Sequence, residues 1–127
     1  MTNGVGPTVL LLDDDADLRE ALDHIFRTLG WRCLPLPSFA AMSDLRPAVL
    51  DCELAILDVN LGQGLPSGVD AHAWLRQHQF AGRIVFLTGH APSHPLVARA
   101  AASGDQVLRK PMSSEELRAL AKRPDRP

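Results

Sequence analysis

The sequence has little cysteine, no surplus of charge of either sign and no long uninterrupted apolar run, and each shortage excludes a class of protein. Its two cysteines, Cys33 and Cys52, have neither metal-ligand spacing nor the density of a disulfide scaffold, so two reduced, buried thiols are expected. Thirteen Lys+Arg against fifteen Asp+Glu leave a formal net charge of -2. Without a basic field to hold a phosphate backbone, direct nucleic-acid binding is not expected. The longest charge-free run, residues 84–98, is broken by Gly89, Pro92 and Pro95, and residues 1–7 lack the basic and apolar segments of a secretory signal. No membrane insertion and a cytoplasmic location are therefore expected. What remains is 127 residues, 46% hydrophobic and 22% charged, which suits one packed core and argues against disorder.

Local patterns alternate between two kinds of segment. Val9-Leu10-Leu11-Leu12 is a short apolar run without alternation, as in a strand covered on both faces, and it stops at Asp13-Asp14-Asp15. Leu18, Leu22, Ile25 and Leu29 recur at helical spacing, with Asp15 as N-cap and Gly30 in the left-handed position that ends the helix. Residues 31–36 suit a second strand, and Ser38 caps a weak helix that finishes before Pro47. Residues 54–57 form a third strand ended by Asp58. A Gly- and Pro-containing loop over 62–68 precedes a helix over 69–78. Residues 84–87, ended by Thr88-Gly89, and residues 106–108, leading into Lys110-Pro111, supply the last two strands. A helix over 95–102 lies between them, closed by Gly104. The capping box Ser113/Glu116 opens a final helix that Pro124 stops by about residue 123. Five strand–helix units imply an α/β fold: a five-stranded parallel sheet, doubly wound and flavodoxin-like, with helices on both faces. The expected organisation is a flexible lead over 1–7, one domain over 8–122 and a polar tail or linker start over 123–127.

In such a sheet ligands gather at the carboxyl ends of the strands. Asp13, Asp14, Asp58, Thr88 and Lys110 fall at those ends. Carboxylates within about 5 Å of one another repel by about 3 kcal/mol per pair at an effective dielectric near 20, so they need a cation. An all-oxygen set with room for water and phosphate suits Mg²⁺ or Mn²⁺ better than zinc. Lys110 is notable because eleven of the thirteen basic residues are arginines, Arg109 among them. A compact ammonium is expected there, to meet one carboxylate or phosphoryl oxygen where a planar guanidinium is too large. Thr88 adds a hydroxyl and Gly89 leaves space beside it. The set suits phosphoryl transfer to an aspartate.

These residues carry a resemblance. Val9-Leu10-Leu11-Leu12-Asp13-Asp14-Asp15, Ile56-Leu57-Asp58-Val59-Asn60, Phe86-Leu87-Thr88-Gly89-His90 and Leu108-Arg109-Lys110-Pro111 resemble, in order and separation, the CheY-like receiver domain of two-component response regulators. The steps of 44, 30 and 22 residues from Asp14 through Asp58 and Thr88 to Lys110 are close to that family's pattern. The resemblance implies a protein that is not an enzyme in the ordinary sense but assists its own phosphorylation and dephosphorylation. Asp58 would accept a phosphoryl group from a histidine kinase or histidine phosphotransfer protein. Asp14 and Asp58 would bind Mg²⁺ directly, Asp13 mainly through water, and Asn60 through its backbone carbonyl. Thr88 and Gly89 would border the phosphoryl group, Lys110 would pair with it, and Asn60 and His90 would tune its lifetime. A downstream protein partner or a fused output domain is implied.

The sequence also departs from the family. Position 107, commonly Tyr or Phe there, is Val107, and the chain has no tyrosine. Met112 stands where Phe is frequent, the loop over 61–68 is about two residues longer than usual, and the last helix is short. Three other readings compete on the same residues. A receiver that binds partners without phosphorylation is kept open by Val107, while the intact acidic set and Lys110 argue against it. A Mg²⁺-dependent aspartyl phosphohydrolase wants a second acid two residues after the nucleophile, where Asn60 stands. A flavodoxin-like cofactor binder needs a phosphate loop after the first strand, where Asp13, Asp14 and Asp15 would repel it.

Overall fold

The structure, a computed structural model, describes residues 6–122. The expected tail over 123–127 and most of the lead over 1–7 lie outside the described residues. Five strands, β1 (Thr8–Leu12), β2 (Arg32–Leu36), β3 (Leu54–Asp58), β4 (Arg83–Thr88) and β5 (Gln106–Arg109), form one parallel sheet in the order β2-β1-β3-β4-β5. Six helices connect and follow them: α1 (Ala16–Thr28), α2 (Phe39–Asp44), α3 (Arg46–Leu50), α4 (Gly68–Gln77), α5 (Pro95–Ala102) and α6 (Ser114–Ala121). None of them is long and apolar enough to cross a membrane.

The apolar runs lack alternation because both sheet faces are covered. Leu10, Leu12, Ala55, Leu57 and Phe86 point to one side, where Met42, Val49, Ala71, Leu75, Val97 and Ala100 of α2 to α5 meet them. Val9, Leu11, Leu54, Ile56, Val85 and Leu87 point to the other, against Leu22 and Phe26 of α1 and Leu117 and Leu120 of α6. Trp31 joins this second layer, and its indole N–H donates to the Ala121 carbonyl at 2.9 Å, tying the end of α6 to the start of β2. Cys33 and Cys52 are free, and burial pushes both thiols up to about 12, so they stay protonated at neutral pH.

Local signals formed as their chemistry dictates. The Asp15 carboxylate accepts from the Asp17 and Leu18 amides, Ser38 accepts from Ala41, and Gly30 and Gly104 adopt φ of 90° and 91°. The Ser113/Glu116 box is reciprocal, and a second one, Ser67/Asp70, opens α4. The helix begun at Ser38 ends at Asp44, before Pro47, as expected, and Pro47 itself sits in the first turn of α3, where its missing N–H would have no partner anyway. One expectation needs correction. Leu29 is the C-cap of α1 and exposed, because the helix ends before its stripe turns back to the sheet.

One tie joins α4 to the turn before β5. Asp105 Oδ2 lies 2.7 Å from His72 Nε2 and accepts from Arg76 Nη2 at 3.1 Å. Burial alone would raise the Asp105 carboxyl, but His72 and Arg76 outweigh it and hold the group below its usual value. A depressed folded value means stability that is full above about pH 4 and is lost as pH falls through it. Asp105→Asn is expected to lower stability by about 1 kcal/mol at pH 7, since both contacts are partly solvated. Urea unfolding at pH 7 and pH 3 checks this, and a difference that persists at the lower pH would contradict it.

Candidate functional site

The chain winds outward in opposite directions from the centre of the sheet: β1 leads through α1 to β2, and β3 leads through α4 to β4. The segments leaving β1 and β3 therefore diverge and open a crevice at the carboxyl ends of the strands. Asp13 and Asp14 follow β1 there, Asp58 ends β3, Thr88 ends β4 and Lys110 follows β5.

One carboxylate oxygen from each of Asp13, Asp14 and Asp58 lies within 4.8 Å of the others. Asp13 and Asp58 are buried, while Asp14 is open to solvent. Asp13 is gripped from several sides. Its amide continues the sheet by donating to Leu36 O, its Oδ1 accepts from the Asp15 amide at 2.9 Å, and its carbonyl accepts from Arg19 Nη1 at 2.7 Å. Its Oδ2 is buried without a well-directed hydrogen bond and faces Lys110 Nζ at 3.2 Å. The same ammonium is 3.4 Å from Asp58 Oδ2. Lys110 thus meets two carboxylates where one was expected. The Lys110 backbone amide donates to Thr88 O at 2.8 Å, which fixes where its side chain starts.

Burial first, then the charge of Asp13, push the Asp58 carboxyl up to about 7, against the pull of Lys110 and of the Asn60 amide. Burial also works against the Lys110 ammonium, but Asp58 and Asp13 together overcome it and hold Lys110 above its ordinary value. One lysine therefore does not fully offset the acidic cluster. Three hard oxygen donors converge, one of them buried and held only by the Lys110 ion pair, and this donor set fits a small hard cation such as Mg²⁺.

Thr88 is fully buried, and its hydroxyl oxygen accepts from the His90 amide at 3.0 Å. A Cβ added at Gly89 would only touch Lys110 Cδ at 3.9 Å, so the space beside Thr88 does not demand glycine. The Asn60 amide lies 3.4 Å from Asp58 Oδ1, and its side-chain nitrogen lies 3.3 Å from His90 Nε2. The His90 ring in turn stacks on His94 at 4.4 Å. Val107 is half-buried on β5 beside the first core layer, with Phe86 as its partner across the sheet. Arg19 and His94 were not singled out in the sequence. Arg19 lies one helical turn beyond the N-cap Asp15, and His94 lies four residues after His90; neither spacing by itself signals a site.

Residues 9–122 match the response regulator receiver domain family. Among curated proteins, the chain is 33% identical over 121 residues to the transcriptional regulatory protein GltR of Pseudomonas aeruginosa, covering 92% of this chain and 48% of that protein. It is 33% identical over 111 residues to nodulation protein W of Bradyrhizobium diazoefficiens, covering 86% of this chain and 47% of that one. The chain thus spans about half the length of the curated relatives it matches. Among solved structures, a response regulator from Burkholderia pseudomallei with a phosphorylated aspartic acid, calcium ion and citrate superposes with a TM-score of 0.77 at 25% identity, over 92% of this chain and 67% of that one. A receiver domain protein from Clostridium thermocellum, at 19% identity, shares the fold with a TM-score of 0.79 over 91% of both chains.

Proposed function

Because this chain belongs to the family of response regulator receiver domains, we propose that it receives a phosphoryl group on Asp58 and passes on that change as a signal. The observation that carries the reading is the Asp13/Asp14/Asp58 cluster with Lys110 Nζ between two of its members. Asp58 Oδ attacks phosphorus in line as the bond to a donor histidine nitrogen breaks, giving an aspartyl phosphate and free imidazole. Asp13, Asp14, Asp58 and the Asn60 carbonyl would hold Mg²⁺. When bound, the ion offsets charge on the phosphoryl oxygens and keeps Asp58 ionised. Lys110, already drawn to Asp58, is within reach to pair with the phosphoryl group. Thr88 Oγ1, now engaged by the His90 amide, can turn to the new oxygens. Gly89 borders the same space, and Asn60 and His90 flank the route by which water reaches phosphorus.

The donor is a histidine kinase or histidine phosphotransfer protein, and the location is the cytoplasm. The output is a partner protein or a further domain, in keeping with relatives about twice as long. One observation favours a second reading: Val107 supplies no aromatic ring to follow Thr88, as a module that binds partners without phosphorylation would tolerate. Intact mass after incubation with Mg²⁺ and acetyl phosphate separates the two. One base-labile phosphoryl adduct is expected on the parent and none on Asp58→Asn. An unmodified parent that also fails to bind Mg²⁺ would select the second reading.

A further inference from the structure

The loop between β4 and α5 carries two imidazoles whose roles can be told apart by their hydrogen bonds. The Gly62 amide donates to Asn60 Oδ1 at 3.0 Å, which fixes the orientation of the Asn60 amide and turns its NH₂ toward His90. Amide nitrogen only donates, so His90 Nε2 at 3.3 Å is the acceptor and the ring proton sits on Nδ1. Nε2 thus faces the Asn60 side chain, and the backbone amide of Asn60 lies 3.4 Å from Asp58 Oδ1.

His90 is exposed, and among the described residues its ring has two such contacts: Asn60 on one side and the His94 ring, 4.4 Å away at 30°, on the other. His94 is anchored independently of both. It is the N-cap of α5, and its Nδ1 accepts from the Leu96 amide at 3.1 Å. A fixed ring thus backs a loose one. We propose that His94 is a positioning residue that holds the His90 ring against Asn60 and thereby slows hydrolysis of the aspartyl phosphate. The proposal rests on the reading of Asp58 as phosphoacceptor. In the step it slows, a water oxygen bonds to phosphorus, the bond to Asp58 Oδ breaks, the carboxylate is restored, and the water proton leaves on the released phosphate.

Two substitutions separate the ring from the cap. His94→Asn keeps a capping oxygen and removes the ring; His94→Phe keeps the ring and removes the cap. Loss of an aromatic contact shifts such a population by about three- to tenfold. His94→Asn is therefore expected to shorten the phosphoryl lifetime by about that factor, and His94→Phe to leave it within about twofold of the parent. In a His90→Ala background, His94→Asn should have no further effect. Equal lifetimes for parent and His94→Asn, or an effect that survives in His90→Ala, would overturn the assignment. Should the parent accept no phosphoryl group, the reading of Asp58 fails, and imidazole ¹⁵N spectra of the unmodified protein still decide this one. A distinct Nδ1–H tautomer of His90 in parent and His94→Phe, averaged in His94→Asn, supports it, and the same pattern in all three refutes it.

Discussion

Asp58→Asn is expected to stabilise the metal-free protein by about 4 kcal/mol at pH 8, with the gain vanishing near pH 4. Burial and the neighbouring Asp13 charge push the Asp58 carboxyl up to about 7, so the folded protein binds its proton more tightly than the unfolded chain does. Between the ordinary aspartate value and 7 the folded state therefore holds more protons, and its stability falls as pH rises across that window. Above it the whole penalty is present; below about pH 4 the group is neutral in both states and the penalty is gone. Asparagine carries no charge and escapes it at every pH. Urea unfolding of both proteins in EDTA from pH 4 to 8 measures the difference, which must grow with pH. A variant less stable than the parent at pH 8 would contradict the burial argument. Mg²⁺ should narrow the gap, because it returns the missing positive charge to the parent. A site assembled for chemistry is thus expected to weaken the fold that carries it.

Gly68→Ala is expected to cost about 3 kcal/mol, the upper end for forcing extra volume into a packed backbone. A Cβ there would run into the Asp58 carbonyl oxygen and meet Asp58 C at 2.9 Å and Val59 Cα at 3.0 Å. Backbone lies on the far side of each contact, and the Gly68 amide is already bonded to Val59 O at 2.9 Å, so neither segment can retreat without breaking a hydrogen bond. The displaced segment carries Asp58, so Mg²⁺ affinity should fall together with the unfolding midpoint. Gly89→Ala is the control: its Cβ would find only Lys110 Cδ, at ordinary contact distance, and stability should stay within about 0.5 kcal/mol of the parent. Similar losses for both variants would show that close approach is not what requires glycine at 68.

The two glycines show why some of this site was legible and some was not. Gly89 stands beside the strand-end residue Thr88 in the sequence, whereas Gly68 read only as the end of a loop. Its contact partner Asp58 is ten residues away and approaches it only once α4 packs on the sheet. Arg19 and His94 were missed for the same reason. What marks Arg19 is a carbonyl across a turn, and what marks His94 is the ring of another loop residue. Pro47 marked where α2 stops, but not that α3 starts on it, because the helix-ending and helix-starting uses of proline look alike without knowledge of which carbonyls lie before it.

The amino-acid order alone determined the alternation of apolar runs with capped helices, and it put an acid, a hydroxyl or a lysine at the end of four strands. Those features are local: burial on both faces, N-cap hydrogen bonds and left-handed glycines act within a few residues. Tertiary structure alone decided that Lys110 bridges Asp13 and Asp58, that Asp58 is pressed up toward neutrality, and that His94 backs His90. Each depends on strand order and on side chains distant in sequence sharing one low-dielectric crevice, and electrostatic strength there is set by distance and burial, which no run of letters contains.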